Sequence, residues 1–280
     1  MPVISIIMGV YNEAEKLPKS VNSILKQSFT DFELIICDDG STDHTYKVLE
    51  TFAKQDNRII ILKNKENKKL AYTLNRCIQH SKGDYIARMD ADDYAAKNRL
   101  EIQFEFLEKH KEYAFVGTSR YMYDEKGVWG EDILNGEVKL DQLFTLKASF
   151  VHPTILIRKS ALLEVNGYTD LKRTERTEDL DLWYKLYSKG YKGFNLENKL
   201  LYYFEDISSS YKRKYIYRIN ASKVTFYWLK KNKLIIKYFY FFIRPLIVGL
   251  LPKKILLNHH KNKYIIKENL NSNTEGKIHE

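Results

Sequence analysis

Cysteine is scarce in this chain. Cys37 and Cys77 are the two in 280 residues, and both sit inside apolar patterns. No disulfide framework is available, so both are expected to be reduced core residues of a cytosolic protein. A basic n-region ahead of the first apolar segment is lacking too, and no signal peptide is expected. Neither G-x-G-x-x-G nor G-x-x-x-x-G-K-[ST] occurs, which removes the usual backbone cradles for phosphate. If a nucleotide binds, a metal ion must carry the charge of its diphosphate.

Acidic charge is lacking from one region only. Residues 207–280 hold 16 Lys and Arg against 3 Asp and Glu, a balance of +13, while residues 1–206 hold 30 against 33, a balance of −3. A nucleic-acid enzyme would carry its positive charge around the active site. Basicity confined to the last quarter points instead to an anionic surface as the partner of the tail, with no nucleic acid involved. A chain that is 44% hydrophobic and 29% charged is expected to fold around a sizeable core.

The first 90 residues alternate between two periods. Val3–Val10, Phe32–Cys37, Arg58–Leu62 and Tyr85–Met89 are short, apolar and rich in β-branched residues, the pattern of strands buried on both faces. Between them Leu17, Val21, Ile24 and Leu25, then Val48, Leu49 and Phe52, then Leu70–Ile78 recur at helical spacing. Asn12 with Glu15 reads as a capping box opening the first helix. The order β-α-β-α-β-α-β predicts a doubly wound, mainly parallel, Rossmann-like α/β sheet. Further on, Lys97–His110 and Val138–Lys147 read as helices. Tyr113–Trp129 reads as a hairpin turning at Asp124–Gly127, and the segment from Thr177 through Trp183 opens another helix.

In such sheets ligands bind beyond the carboxyl ends of the strands. Tyr11 and Glu13, then Asp38 and Asp39, then Asp90, Asp92 and Asp93 all fall at such ends. Asp is depleted in strands and clustered carboxylates repel one another, whereas a hard divalent cation removes the repulsion. A solvated turn is the alternative, and Asp93 reads as the cap of the helix that follows. Glu178 and Asp179 fall in the first turn of a helix, where the dipole stabilises carboxylates. One such carboxylate at a pocket floor is also what a sugar transfer needs to take a proton from an attacking hydroxyl.

Five motifs in order carry a resemblance. They are V-I-S-I-I with Tyr11-Asn12-Glu13, C-D-D-G-S-T-D from Cys37, R-M-D-A-D-D from Arg88, H-P-T-I-L-I-R from His152, and T-E-D-L-D-L-W from Thr177. Over about residues 2–206 the chain resembles the family-two inverting glycosyltransferases of GT-A fold. The resemblance implies a nucleotide-sugar donor and a Mn²⁺- or Mg²⁺-dependent single displacement with inversion at the anomeric carbon. It implies that Tyr11 and Glu13 border the nucleoside, that Asp39 with Asp38 binds the base, and that Asp90 contacts ribose or sugar. Asp92 would ligate the metal, Asp179 would be the general base and Trp183 would wall the acceptor pocket. Glu178 and His152 would lie on the acceptor side. One departure stands out: where the family has Gly in N-x-G-x-A, Asn67–Ala71 carries Lys69. There the backbone is expected to approach the donor differently, or a lysine to meet a phosphate.

The expected organisation is a catalytic unit over 1–206, with a donor half at 1–95 and an acceptor half at 96–206. A basic, aromatic helical extension follows at 207–257, then a polar flexible tail at 258–280. Tyr211–Leu229 repeats apolar residues at helical spacing, and Leu234–Leu251 is strongly apolar but holds Lys237, Arg244 and Pro245. A central Arg is costly in a membrane span. The segment is therefore expected to lie in a membrane interface, its lysines towards anionic headgroups. A true membrane span, and packing on the catalytic unit or on the partner in a homodimer, are the alternatives. A UDP-sugar donor, a lipid-linked glycan acceptor and a place on the inner face of the cell membrane follow as expectations. Two competing readings are a sugar nucleotidyltransferase, which would need a Gly-rich basic loop after the first strand, and a non-catalytic sugar-nucleotide or lipid-binding protein.

Overall fold

The structure is a computed structural model and describes residues 1–145, 149–206 and 214–265. Expectations that fall on 207–213 and 266–280, including the last part of the tail, lie outside the described residues.

One ten-stranded sheet organises the chain. Strands β1 (Ile4–Val10), β2 (Phe32–Asp38), β3 (Ile59–Lys63) and β4 (Tyr85–Arg88) alternate with helices α1 (Leu17–Leu25), α2 (Thr45–Gln55) and α3 (Leu70–His80). The four strands pair in parallel in the order β3-β2-β1-β4. The chain builds outward from β1 to β3 and then returns to the other side of β1. The β1/β4 junction is thus the switch point at which a crevice opens beyond the strand ends.

The second half of the sheet is mixed. β9 (Leu156–Arg158) runs antiparallel between β4 and β6 (Phe115–Asp124), and β6 pairs in parallel with β10 (Gly193–Phe204). The predicted hairpin is β6 with β7 (Gly127–Asp132). The short β5 (Tyr94–Ala95) and β8 (Gly136–Val138) both pair with β10 along the edge that β6 leaves free, β8 at its start and β5 near its end. The sheet therefore runs unbroken from the first half of the chain into the second.

Period-two alternation splits the core into two layers. Ile6, Met8, Val10, Leu34 and Ile36 face α1, α2 and α4 (Arg99–Lys109). Ile7, Ile35, Cys37 and Ile86 face the other layer. There α3 is joined by α5 (Leu140–Thr145), α6 (Lys159–Glu164), α7 (Glu178–Ser188) and the C-terminal helices. Both cysteines are free and buried.

Three details differ from expectation. Asn12 caps no helix: it sits at φ 55 and its Oδ1 accepts the N–H of Thr42, while α1 begins only at Leu17 with a proline in its first turn. Asp93 caps nothing either: α4 starts at Arg99, and the Asp93 Oδ1 accepts the N–H of Phe204 at 2.8 Å. β10 has no counterpart in the sequence reading. Its polar residues Asn195, Glu197, Asn198 and Lys199 hide a strand that also shifts register twice against β6.

The extension forms α8 (Tyr215–Lys231), α9 (Ile235–Gly249) and α10 (Lys253–Tyr264). α10 begins in the expected helical extension and continues through 258–264, the first residues of the expected flexible tail, and Ile265 bridges to Gly130 of β7. α8 packs on the catalytic unit through Val224, Trp228 and Leu229. α9 is bent at Tyr238, whose φ is −120°, and carries Pro245. Its outer surface leaves Ile236, Phe239, Tyr240 and Ile247 exposed. No single helix among the described residues is long and apolar enough to cross a membrane.

Candidate donor and transfer site

The loops after β1 and β2 are zipped together. Glu13 N–H donates to Thr45 Oγ1 at 2.9 Å, Asn12 N–H to Ser41 Oγ at 3.0 Å, and Ala14 N–H to Asp43 Oδ2 at 3.4 Å. Tyr11 stands exposed at the rim. Burial, opposed by Lys16 and reinforced by Asp43 and Asp90, raises the Glu13 carboxyl above its ordinary range.

Asp38 and Asp39 end β2, and both are buried. Asp39 braces the loop before α3. Its oxygens accept from Asn64 Nδ2 at 2.6 Å, Lys68 N at 2.8 Å and Lys69 N at 2.9 Å. A carboxylate offers about four lone-pair sites, so one is left to meet a ligand. Asp38 Oδ1 accepts the Ser41 N–H at 3.2 Å, and its buried Oδ2 has no partner among the described residues. Lys69 adopts φ 72, ψ 166, a region almost reserved for glycine. Lys69 thus departs from the family's glycine in residue while holding a conformation that glycine favours.

The third strand end carries the acidic cluster. Ligand atoms of Asp90, Asp92 and Asp93 lie within 4.8 Å of one another. Each carboxylate is held differently. Asp90 pairs with the Arg88 guanidinium, which is 4% exposed. Asp93 is buried against Phe204, and burial followed by the Asp90 and Asp92 charges pushes its carboxyl well up. Asp92 is half-buried, and burial followed by Asp90 and Glu13 pushes its carboxyl up to about 7. Among the described residues it is the Asp92 main chain that another residue ties down, Tyr123 Oη donating to its carbonyl at 2.7 Å. Crowded oxygens, a buried unpaired Asp93 Oδ2 and one uncommitted carboxylate suit a hard divalent cation that shares its shell with phosphate.

A second acidic group comes from the other half of the chain. α7 opens at Glu178, and Asp179 Oδ1 accepts the Leu180 N–H at 2.8 Å. Burial and then Asp179 push the Glu178 carboxyl up to about 7. Burial raises Asp179 as well, against the pull of the Leu180 N–H and the Arg88 guanidinium. Arg88 and Asp90 both act on Asp179, so the β4 and α7 ends face one site.

Arg88, missed in the sequence reading, pairs with Asp90 and also pulls the Asp179 carboxyl down. The signal was present as a lone arginine closing an apolar strand just before the acidic run. Two other expectations change. Trp183 does not wall an open pocket: it is 1% exposed and stacked on Phe115 at 5.3 Å. His152 is likewise buried. Its Nε2 meets Tyr168 Oη at 2.7 Å, and burial followed by Arg88 lowers its pKa well below the ordinary value. Trp183 is turned into the core by the apolar face of α7, and His152, in the 3-10 turn His152–Thr154, meets it edge-on at 6.0 Å.

A parallel sheet with acidic strand ends at its switch point, and a second acidic group on a later helix, is a sugar-nucleotide transferase fold of GT-A type. The sequence profile of Glycosyl transferase family 2 matches residues 5–165, more than half of the chain. The chain belongs to that family. EpsE of Bacillus subtilis (strain 168) is 39% identical over 263 residues, covering 94% of each chain. A UDP-Glc:alpha-D-GlcNAc-diphosphoundecaprenol beta-1,3-glucosyltransferase of Escherichia coli, WfaP, is 31% identical over 88% of this chain and 95% of its own. Among solved structures, S. aureus TarS 1-349 in complex with UDP-GlcNAc superposes with a TM-score of 0.68 at 20% identity, over 87% of this chain and 73% of that one. At that identity the likeness is one of fold.

Proposed function

We propose that this chain is an inverting glycosyltransferase. It moves a hexosyl or N-acetylhexosaminyl group from a UDP-sugar to a hydroxyl of a lipid-linked glycan in surface-polysaccharide synthesis. The observation that carries the reading is the meeting of two acidic groups, Asp90–Asp93 from β4 and Glu178/Asp179 from α7, around Arg88.

In this reading residues 1–95 hold the donor and 96–206 the acceptor. Tyr11 and Glu13 border the nucleoside, and the free lone pair of Asp39, with Asp38 beside it, meets the base. Asp90, oriented by Arg88, contacts ribose or sugar. Asp92 holds Mn²⁺ or Mg²⁺, which when bound neutralises charge on the departing nucleoside diphosphate. Asp179 takes the proton of the acceptor hydroxyl as its oxygen attacks the anomeric carbon. A raised carboxyl is a stronger base than an ordinary one, and a helix start keeps it ionisable. Glu178 lies on the acceptor side of the same turn. His152 and Trp183 support it from behind and do not touch substrate.

The name of WfaP describes an acceptor sugar on a lipid diphosphate, and we carry that acceptor class over as part of the proposal. The exposed face of α9 supports it: Ile236, Phe239, Tyr240 and Ile247 stand out beside Lys237 and Arg244. That face rests on an anionic membrane surface. The test is transfer from UDP-sugars to a synthetic N-acetylglucosaminyl diphospholipid with Mn²⁺. Transfer with inversion, and its loss in Asp179→Asn, is expected; full transfer by Asp179→Asn would sink the mechanism.

A further inference from the structure

Helix α8 does more than carry the extension. Asn220 is 4% exposed, and its Nδ2 donates to the carbonyls of Lys172 at 3.3 Å and Glu175 at 3.1 Å. Those carbonyls belong to the 3-10 turn Lys172–Thr174 and the residue after it, just ahead of Glu178 and Asp179. Two turns further along α8, Trp228 is also 4% exposed, and its Nε1 donates to Asp181 Oδ1 at 2.8 Å. Asp181 is 2% exposed, and its other oxygen accepts from Thr169 Oγ1 at 2.5 Å. Asn220 and Trp228 lie eight residues apart and share a helix face. They grip the chain on both sides of the Glu178/Asp179 turn.

The gripped segment is one that needs holding. Arg176 adopts φ 62, uncommon for any residue but glycine or asparagine. Such a conformation persists only where the surroundings over-determine it. α8 supplies those surroundings again: Arg176 lies over the Tyr217 ring at 6.0 Å and Arg173 over Tyr227 at 4.9 Å. An appendage that merely covered apolar surface would not need two buried polar anchors, each costly if left unpaired.

We propose that Asn220 and Trp228 are positioning residues for the transfer step, so that α8 is part of the catalytic unit and sets where the Asp179 carboxyl points. The inference rests on Asp179 being the base. It concerns the base end only, and the donor end at β1, β2 and β4 touches none of these anchors.

The test uses the full chain. UDP-glucose with Mn²⁺ and a synthetic N-acetylglucosaminyl diphospholipid are the probes, because a relative uses that pair. Asn220→Ala and Trp228→Phe should lower kcat for transfer about 10- to 100-fold, the order expected when a catalytic group is displaced by about 1 Å. UDP affinity in Mn²⁺ should stay within about twofold. Ser222→Ala is the control. It breaks a bond of the same helix, Ser222 Oγ to the Phe242 carbonyl at 2.6 Å, which faces α9 and not α7; its kcat should stay within about twofold. Hydrogen exchange needs no substrate: Asn220→Ala should lose protection over residues 172–182 and keep it in β1–β4. The proposal falls if Asn220→Ala lowers kcat no more than Ser222→Ala, if it weakens UDP binding in proportion, or if exchange over 172–182 is unchanged. Full transfer by Asp179→Asn would overturn it by a separate route, through the base reading itself.

Discussion

Two groups of carboxylates face each other across this molecule, built from the same residue types and relieved of their charge in different ways. Asp90, Asp92 and Asp93 crowd at a strand end, partly open, with Arg88 and one main-chain N–H committed to two of them. Glu178 and Asp179 sit in the first turn of a helix that holds them by its own N–H groups. The first arrangement leaves Asp92 short of a positive partner and open to an ion. The second leaves a carboxylate whose ready partner is a proton. In the proposed mechanism it is geometry, not composition, that separates the cation holder from the proton acceptor.

The largest effects should come from breaking that division of labour. Asp179→Asn should lower transfer about 10²- to 10⁴-fold, the usual worth of a positioned base, while UDP with Mn²⁺ still raises the melting temperature. Asp92→Asn should do the reverse at the binding level: the Mn²⁺-dependent part of the UDP-induced thermal shift should vanish, and transfer with it. Equal losses of thermal shift in both variants would erase the distinction between the groups.

A smaller effect sharpens it. The Asp92 and Glu178 carboxyls stand at about 7 in the folded chain against ordinary values of 3.8 and 4.5. Between those limits the folded chain keeps protons that the unfolded chain has released. Stability of the cation-free protein should therefore be greatest at the acid end of the window and decline as pH rises towards 7. Added Mn²⁺ should flatten the share due to Asp92 and leave that of Glu178, which melting curves at several pH values would reveal. The smallest effect belongs to the donor loop. Lys69→Gly removes a strained φ of 72 and should raise stability by about 1 kcal/mol, net of the extra freedom of glycine in the unfolded chain. Thermal unfolding would register a lower melting temperature if the strain were not real.

The parallel half was legible in the sequence because every strand there is a continuous apolar run ending in a polar turn. Strands buried on both faces have no other way to be written. The mixed half was less so. β10 carries Asn, Glu and Lys at its centre because it shifts register there and shows part of one face to solvent. β9 is three residues long. The site residues were visible as acidic strand ends, but their partners were not. Nothing local in Asp93 announces that its oxygen will meet Phe204, or in Trp183 that a helix will turn its ring inward. The extension followed the same rule. Its helical periods were readable, whereas the polar grip of Asn220 and Trp228 depends on residues about 45 positions away.

The link between Asp93 and Phe204 joins positions 111 residues apart, and β5 beside it pairs only with β10. A ribosome making this chain therefore delivers the acidic cluster long before it delivers the strand that fastens it. Nascent protein stopped short of Phe204 has every carboxylate of the cluster in place and lacks the N–H that holds Asp93.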